Sequence, residues 1–289
     1  MVIKRMTFRA SITSVIWVGI QWPMMVASPH AHADEVFDYT FSSSIGVATD
    51  YVSRGLRLNW NRPALQGGAE VVHQSGGYIG GNFSQLTDQY YANGSVELDL
   101  FAGLRQSIDD KFSYDIGLGA YFYPGANYRD AAPKGAYPDK QYDTVEAIFG
   151  ITYRWLNLKY SRCLTDYYGY DDRTVPVALW NSGVTGGVES GKRTRGSSYY
   201  EANTNFDIGH EASIGLHIGR QVVTHSSRLS YRDYKISATK TLTYNWSAIL
   251  ALSSTSGAEI YNNFISVNGN GQILDVGSTH WVFSIYKTF

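Results

Sequence analysis

The chain has 289 residues, 24 of them basic and 25 acidic, for a formal charge of -1 and a pI near 6.6. That balance provides no basic stripe for a phosphate backbone, so nucleic-acid binding has no support. Cys163 is the single cysteine, which excludes an intramolecular disulfide; it reads as an inert strand residue.

Lys4, Arg5 and Arg9 precede an apolar stretch from Ile12 to Val26, and the small-residue pattern Ala31-His32-Ala33 follows. Residues 1–33 are therefore expected to be a cleaved signal peptide, with the mature protein beginning at Asp34. Gln21 and Pro23 interrupt the apolar run, which argues against a permanent anchor. No later window offers the roughly 18 apolar residues that a spanning helix needs, so a membrane crossing would use strands. Residues 34–289 read as a single domain.

From there on the dominant period is two, which sends successive side chains of a strand to opposite faces. Val96, Leu98, Leu100, Ala102 and Leu104 share one face, while Glu97, Asp99, Phe101, Gly103 and Arg105 share the other. Phe112, Tyr114, Ile116, Leu118, Ala120 and Phe122 alternate in the same way with small and polar residues. The pattern predicts strands over 41–52, 63–73, 78–86, 94–105, 112–123, 142–153, 156–166, 197–208, 212–222, 233–241, 245–255 and 279–289. A strand tilted near 40° needs about ten residues to cross a 25 Å apolar band, and these segments are that long. The expected fold is all-β, a transmembrane antiparallel up-and-down barrel of about 12 strands.

The connections sort by parity. Those after the even strands are short, whereas Pro124 to Gln141, Tyr167 to Gly196 and Ser256 to Ser278 follow odd ones. Short periplasmic turns and long extracellular loops are the rule for outer-membrane barrels. Aromatics gather at strand ends and are expected in the two headgroup belts: Phe37, Tyr39, Phe41, Phe112, Tyr153, Trp155, Tyr244 and Trp246 on the periplasmic side, Tyr51, Phe122, Tyr167, Tyr199 and Trp281 on the outer side. The final segment ends on Phe289, the form of a barrel-assembly signal. Lys287 departs from the apolar pattern there, one position from water into which its ammonium can snorkel.

Several patches resemble one family in order along nearly the whole mature chain: Ala48-Thr49-Asp50-Tyr51-Val52-Ser53-Arg54-Gly55, Pro63-Ala64-Leu65-Gln66-Gly67-Gly68, Val96-Glu97-Leu98-Asp99-Leu100-Phe101-Ala102-Gly103, Tyr114-Asp115-Ile116-Gly117, Tyr121-Phe122-Tyr123-Pro124-Gly125 and Leu158-Lys159-Tyr160-Ser161. The text is similar to the TorF family of porins, also known as Gcw_chp, conserved hypothetical proteobacterial proteins. The resemblance implies an outer-membrane barrel and suggests a pore. It supplies no catalytic residue.

If the apolar face meets lipid, parity assigns Asp50, Glu70, Glu97, Asp99, Asp115, Glu146 and Glu201 to the lumen with Arg54, Arg105, Lys159 and Lys235. Seven acids against four bases suggest a channel for small polar solutes or ions with a weak cation preference. The same charges could instead pair and plug a structural or adhesive barrel that works through its loops. An enzyme needs a nucleophile with its base, or an acid pair, gathered at one level. His73 and His210 fall in turns, His225 in a loop, and His217 and His280 on separate strands; neither a catalytic motif nor a cofactor or metal motif appears. The expected partners are outer-membrane lipids and lipopolysaccharide, periplasmic chaperones and the barrel-assembly machinery during biogenesis, and small polar solutes or ions.

Overall fold

A computed structural model describes residues 38–175 and 187–289. The predicted signal peptide, the Asp34 start and Phe37 lie outside the described residues. Twelve long strands form one closed antiparallel barrel: β1 (Tyr39–Ala48), β2 (Ala64–His73), β3 (Gly77–Gln85), β4 (Val96–Ser107), β5 (Phe112–Phe122), β6 (Thr144–Tyr153), β7 (Leu156–Cys163), β8 (Ser198–Gly209), β9 (Ala212–Val222), β10 (Tyr231–Thr241), β11 (Trp246–Ser256) and β12 (His280–Thr288). Each pairs with its sequence neighbour, and β1 closes on β12 in the register Ser44 to Thr288 through Ala48 to Ser284. Closure matters physically, because lipid offers no partner for an open edge.

The period-two pattern becomes the two faces of the wall. Leu100 is 57% exposed on the outside, whereas its neighbour Phe101 is 8% exposed on the inside. Ile79, Ile116, Leu118, Phe149, Ile236 and Leu250 continue the exposed apolar band. At its lower rim Tyr39, Phe41, Tyr153, Trp155, Tyr244 and Trp246 are exposed, at the level where amphipathic rings are stable.

The connections alternate as the spacing predicts, with short turns at 74–76, 108–111, 154–155, 210–211 and 242–245. In the first of them Gly76 has φ +84, and a Cβ there would lie 2.0 Å from the Arg105 carbonyl oxygen, so no other residue fits. The long connections are 49–63, 86–95, 123–143, 164–197, 223–230 and 257–279. They carry two small ribbons, Val52–Ser53 with Leu56–Arg57 and Phe264–Ile265 with Ile273–Leu274.

Two expectations change here. β1 ends at Ala48 instead of residue 52, so Asp50 and Arg54 belong to the first long loop and not to the wall. Tyr51, Tyr167 and Tyr199, expected in the outer aromatic belt, are buried inside, whereas Trp281 is exposed on the outer surface. Tyr51 and Tyr167 lie in long loops that fold inward, and Tyr199 sits on the inner face of β8 with Glu201.

Candidate functional site

The first long loop starts the plug. Its ribbon turns at Arg54 (φ 45) and Gly55 (φ 80), a pair of left-handed residues of the kind that makes a tight hairpin follow the strand twist. A Cβ on Gly55 would lie 2.6 Å from Asp233 Cβ, so this tip can approach β10 only because the residue is glycine. The turn aims the Arg54 guanidinium across the lumen. Its Nη2 lies 2.6 Å from Glu146 Oε2 and its Nη1 donates to Glu146 Oε1 at 2.9 Å and to Gln221 Oε1 at 3.0 Å. The cation also sits 4.4 Å over the Tyr199 ring. Side-chain exposures of 3% and 1% make Arg54–Glu146 a buried ion pair, two-pronged and braced by an amide and an aromatic face. The Cys163 thiol donates to the same Glu146 carboxylate at 3.5 Å, which gives the single cysteine a structural place.

Above this pair the mouth is packed with tyrosine. Tyr91 stacks on Tyr123 with centroids 4.2 Å apart, Tyr128 on Tyr142 at 3.9 Å, and Tyr90 on Phe264 at 5.0 Å. A void of about 10 Å³ remains where Arg54, Leu58, Tyr90, Tyr168 and Tyr231 meet, about the room of one water. Burial pushes the Tyr170 phenol up to about 12 and those of Tyr90, Tyr91 and Tyr128 well above their ordinary value, so the cluster stays neutral. Backbone bonds lace the loops together: Arg57 N–H to the Val276 carbonyl at 2.9 Å, Val267 N–H to Gln89 at 3.0 Å, and Ala132 N–H to Val267 at 2.7 Å.

A charged strap closes the same end. Lys140 lies 2.8 Å from Asp166 and 2.9 Å from Asp171, and Arg193 also reaches Asp166 at 2.8 Å. Burial would raise the Asp171 carboxyl, but the Lys140 hydrogen bond and two backbone N–H groups bring it down to about 2. Asp166 is lowered too: burial opposes, and the Arg193 and Lys140 hydrogen bonds prevail. Asp50 moves the other way, raised by burial to about 6 despite its hydrogen bond from Arg57.

Below the plug the inner face is polar. Arg105 reaches Glu70 at 3.5 Å and Asp115 at 3.2 Å and lies 4.5 Å over the Tyr78 ring, whose hydroxyl donates to Asp115 at 2.7 Å. Lys159 meets Glu201 at 2.8 Å. Lys235 stands opposite His217 on the inner face. Glu97 accepts a hydrogen bond from Tyr51 at 2.8 Å, but Glu97 Oε2 and Asp99 Oδ1 are buried without a hydrogen-bond partner among the described residues. The eleven charged residues thus divide: most are joined in ion pairs, while Glu97 and Asp99 form an acidic spot.

The inner face also carries Asp233, which is not among the charges expected there although it shares the parity of Lys235. It lies 2.7 Å from His217 Nε2 and accepts from the Tyr199 hydroxyl at 3.0 Å. His280 stands in the same cross-strand row as His217, with two strands between them. Among the described residues no three His, Cys, Asp or Glu side chains gather as a metal site would require. Phe289 ends the chain exposed, its N–H bonded to the Ser43 carbonyl at 2.9 Å.

The architecture defines the class: a transmembrane antiparallel β-barrel of twelve strands whose extracellular mouth is filled by its own loops. Residues 32–289 match the family described as "Bacterial protein of unknown function (Gcw_chp)", and the chain belongs to that family. No curated protein matches it. Among solved structures it is similar to the KdgM porin in complex with disordered oligogalacturonate (7% identity, 86% of this chain and 99% of that one, TM-score 0.48). It is also similar to the NanC porin (9% identity, 86% and 98%, TM-score 0.48) and to an outer membrane channel from Pseudomonas putida F1 (10% identity, 91% and 100%, TM-score 0.42).

Proposed function

We propose that the protein is an outer-membrane channel of the TorF type, passing small polar solutes or ions, whose resting state is closed by the tyrosine plug. The observation that carries this reading is the inner face below the plug. A barrel serving only as a scaffold can fill its interior with apolar side chains, yet this one holds charged rows from β2 to β10, with Arg105, Asp115 and Lys159 only partly buried. Charged rows on the inner face of a barrel favour water and hydrated ions. The acidic spot of Glu97 and Asp99 gives the path a weak preference for cations.

A second reading has its own support. The density of the mouth suits a permanently closed barrel that presents its loops to the outside. Planar-bilayer recording separates the two. Folded native protein is expected to show brief openings, and the Arg54→Ala variant is expected to stay open longer. Silence from both, in protein shown to be folded by heat-modifiable gel mobility, would establish the closed, structural reading instead.

A further inference from the structure

Four outward side chains stand in one row across four neighbouring strands near the extracellular end. Tyr160 on β7 faces Tyr200 on β8, Tyr200 faces Arg220 on β9, and Arg220 faces Arg232 on β10. Their sequence neighbours Lys159, Glu201 and Asp233 point into the lumen, so by alternation this row points to lipid. Like charges directly opposite each other in a sheet repel. Yet among the described residues neither Arg220 nor Arg232 belongs to an ion pair. Arg162 adds a third guanidinium one outward position above Tyr160, with Nη1 3.5 Å from the Tyr160 hydroxyl.

The surface beneath this row is apolar. Leu158, Ala202, Ile218 and Tyr234 form the next outward row, and the Tyr160 and Tyr200 rings lie 5.0 Å apart beside Phe149. Of these, Phe149, Leu158, Tyr160, Tyr200, Ala202 and Ile218 line a groove of about 530 Å³ that Arg220 and Arg232 also border. Elsewhere the outward positions toward this end carry Leu65, Leu98, Phe122 and Trp281, none of them charged. Three guanidinium groups outside any ion pair among the described residues, above a greasy channel and on one side of the barrel, match an amphiphile with an anionic head and apolar tails. The apolar walls of the groove suit acyl chains, and arginine forks suit phosphate oxygens.

We infer that this face of β7 to β10 binds a phosphorylated glycolipid of the outer leaflet, its phosphate held between Arg220 and Arg232 with Arg162 alongside, and its acyl chains in the groove below. The inference rests on the membrane-barrel reading with the long loops outside, and is independent of whether the lumen conducts.

Native mass spectrometry of the folded barrel in detergent tests it, with three probes: diphosphorylated lipid A, the same lipid stripped of phosphate, and inorganic phosphate. The variants are Arg220→Gln with Arg232→Gln, and Lys240→Gln, which removes an outward cation at the opposite end of β10. The native protein should retain diphosphorylated lipid A in preference to the stripped lipid. The double variant should bind it about twenty-fivefold more weakly, the product of two interfacial arginines each contributing roughly fivefold, and Lys240→Gln should be unchanged. Equal retention of the stripped lipid, full retention by a folded double variant, or an equal loss in Lys240→Gln would each overturn the site. Inorganic phosphate binding as well as the lipid would overturn its assignment to a lipid. Insertion into lipid vesicles is measured first; a barrel that fails to insert overturns the membrane reading and this site with it.

Discussion

The two halves of the lumen solve the same problem with opposite chemistry. The extracellular half is filled by stacked tyrosines around one buried ion pair, so its stability comes from burial and ring packing. The periplasmic half holds Arg105, Asp115, Lys159 and Glu201 in pairs that remain partly wet and so contribute little net stability. The difference teaches where control resides. A dense aromatic lid can be held or released by a single buried contact, whereas a row of screened ion pairs has no comparable switch. Arg54–Glu146 is that contact, since it ties the first loop to β6.

The largest expected effect comes from breaking it. Removing one partner of a buried ion pair leaves the other charge uncompensated, at a cost of about 3 to 5 kcal/mol. Arg54→Ala should raise the open fraction in bilayer recordings at least about tenfold, because even 1.4 kcal/mol of that cost gives a factor of ten. Arg105→Ala, in the wetter half, should leave the open fraction nearly unchanged. If the two variants gate alike, the contrast between the halves is wrong.

A second test concerns which face is inside at all. Leu100 and Phe101 are adjacent, and only Leu100 points outward. Arginine at the bilayer midplane costs about 2 to 4 kcal/mol, against little in a polar lumen. Leu100→Arg should therefore reduce folding yield into bilayers far more than Phe101→Arg, as read by heat-modifiable mobility. Equal yields would invert or abolish the assigned faces.

Much of this barrel is legible in the amino-acid sequence alone. Twelve period-two segments fall on twelve strands, because the alternation records which side of the wall meets lipid, and that constraint acts on every residue. The plug is illegible for the converse reason. Tyr51 and Tyr167 look like belt aromatics at a strand end, and outside the strands no periodicity distinguishes a ring facing headgroups from one facing other rings. Alternation carried six residues past Ala48 places Asp50 and Arg54 on the lumen face as if they belonged to the wall; both are inside, but a folded loop brings them there. Tyr199 and Asp233 differ from these, since parity alone already puts them on the inner face with Glu201 and Lys235. Arg220 is equally legible, because it continues the outward column of Ile218; Arg232 lies one residue before the expected strand start at 233, and the observed strand begins earlier, at Tyr231.

A third test sharpens the contrast through selectivity. Glu97 and Asp99 have no cationic partner within ion-pair distance among the described residues, whereas Asp115 is joined to Arg105. Glu97→Gln with Asp99→Asn should lower the cation preference seen in reversal potentials, and high salt should erase what remains. Adding Asp115→Asn frees part of the Arg105 charge and should move the preference further toward anions. A reversal potential unmoved by all three changes would show that permeating ions do not sense this wall.

The smallest expected effect is that of pH on the lid, because two contributions oppose each other. Asp171, lowered to about 2 where burial is outweighed by Lys140 and backbone N–H groups, stabilises the strap above the ordinary carboxyl value of about 4, and that contribution is lost as pH falls through 2. Asp166, lowered for similar reasons, acts in the same direction. Asp50, raised by burial to about 6, behaves oppositely: its neutral form suits the folded loop, so its contribution is complete below about 4 and lost as pH rises through 6. The closed fraction of the channel should therefore pass through a shallow maximum near pH 4. Asp50→Asn should flatten the limb between 4 and 6 and leave the acid limb in place, while Asp171→Asn should flatten the acid limb alone. A single variant that removes both limbs would mean that the strap and the first loop titrate as one unit, and the lid would then be held by one network of charges instead of two.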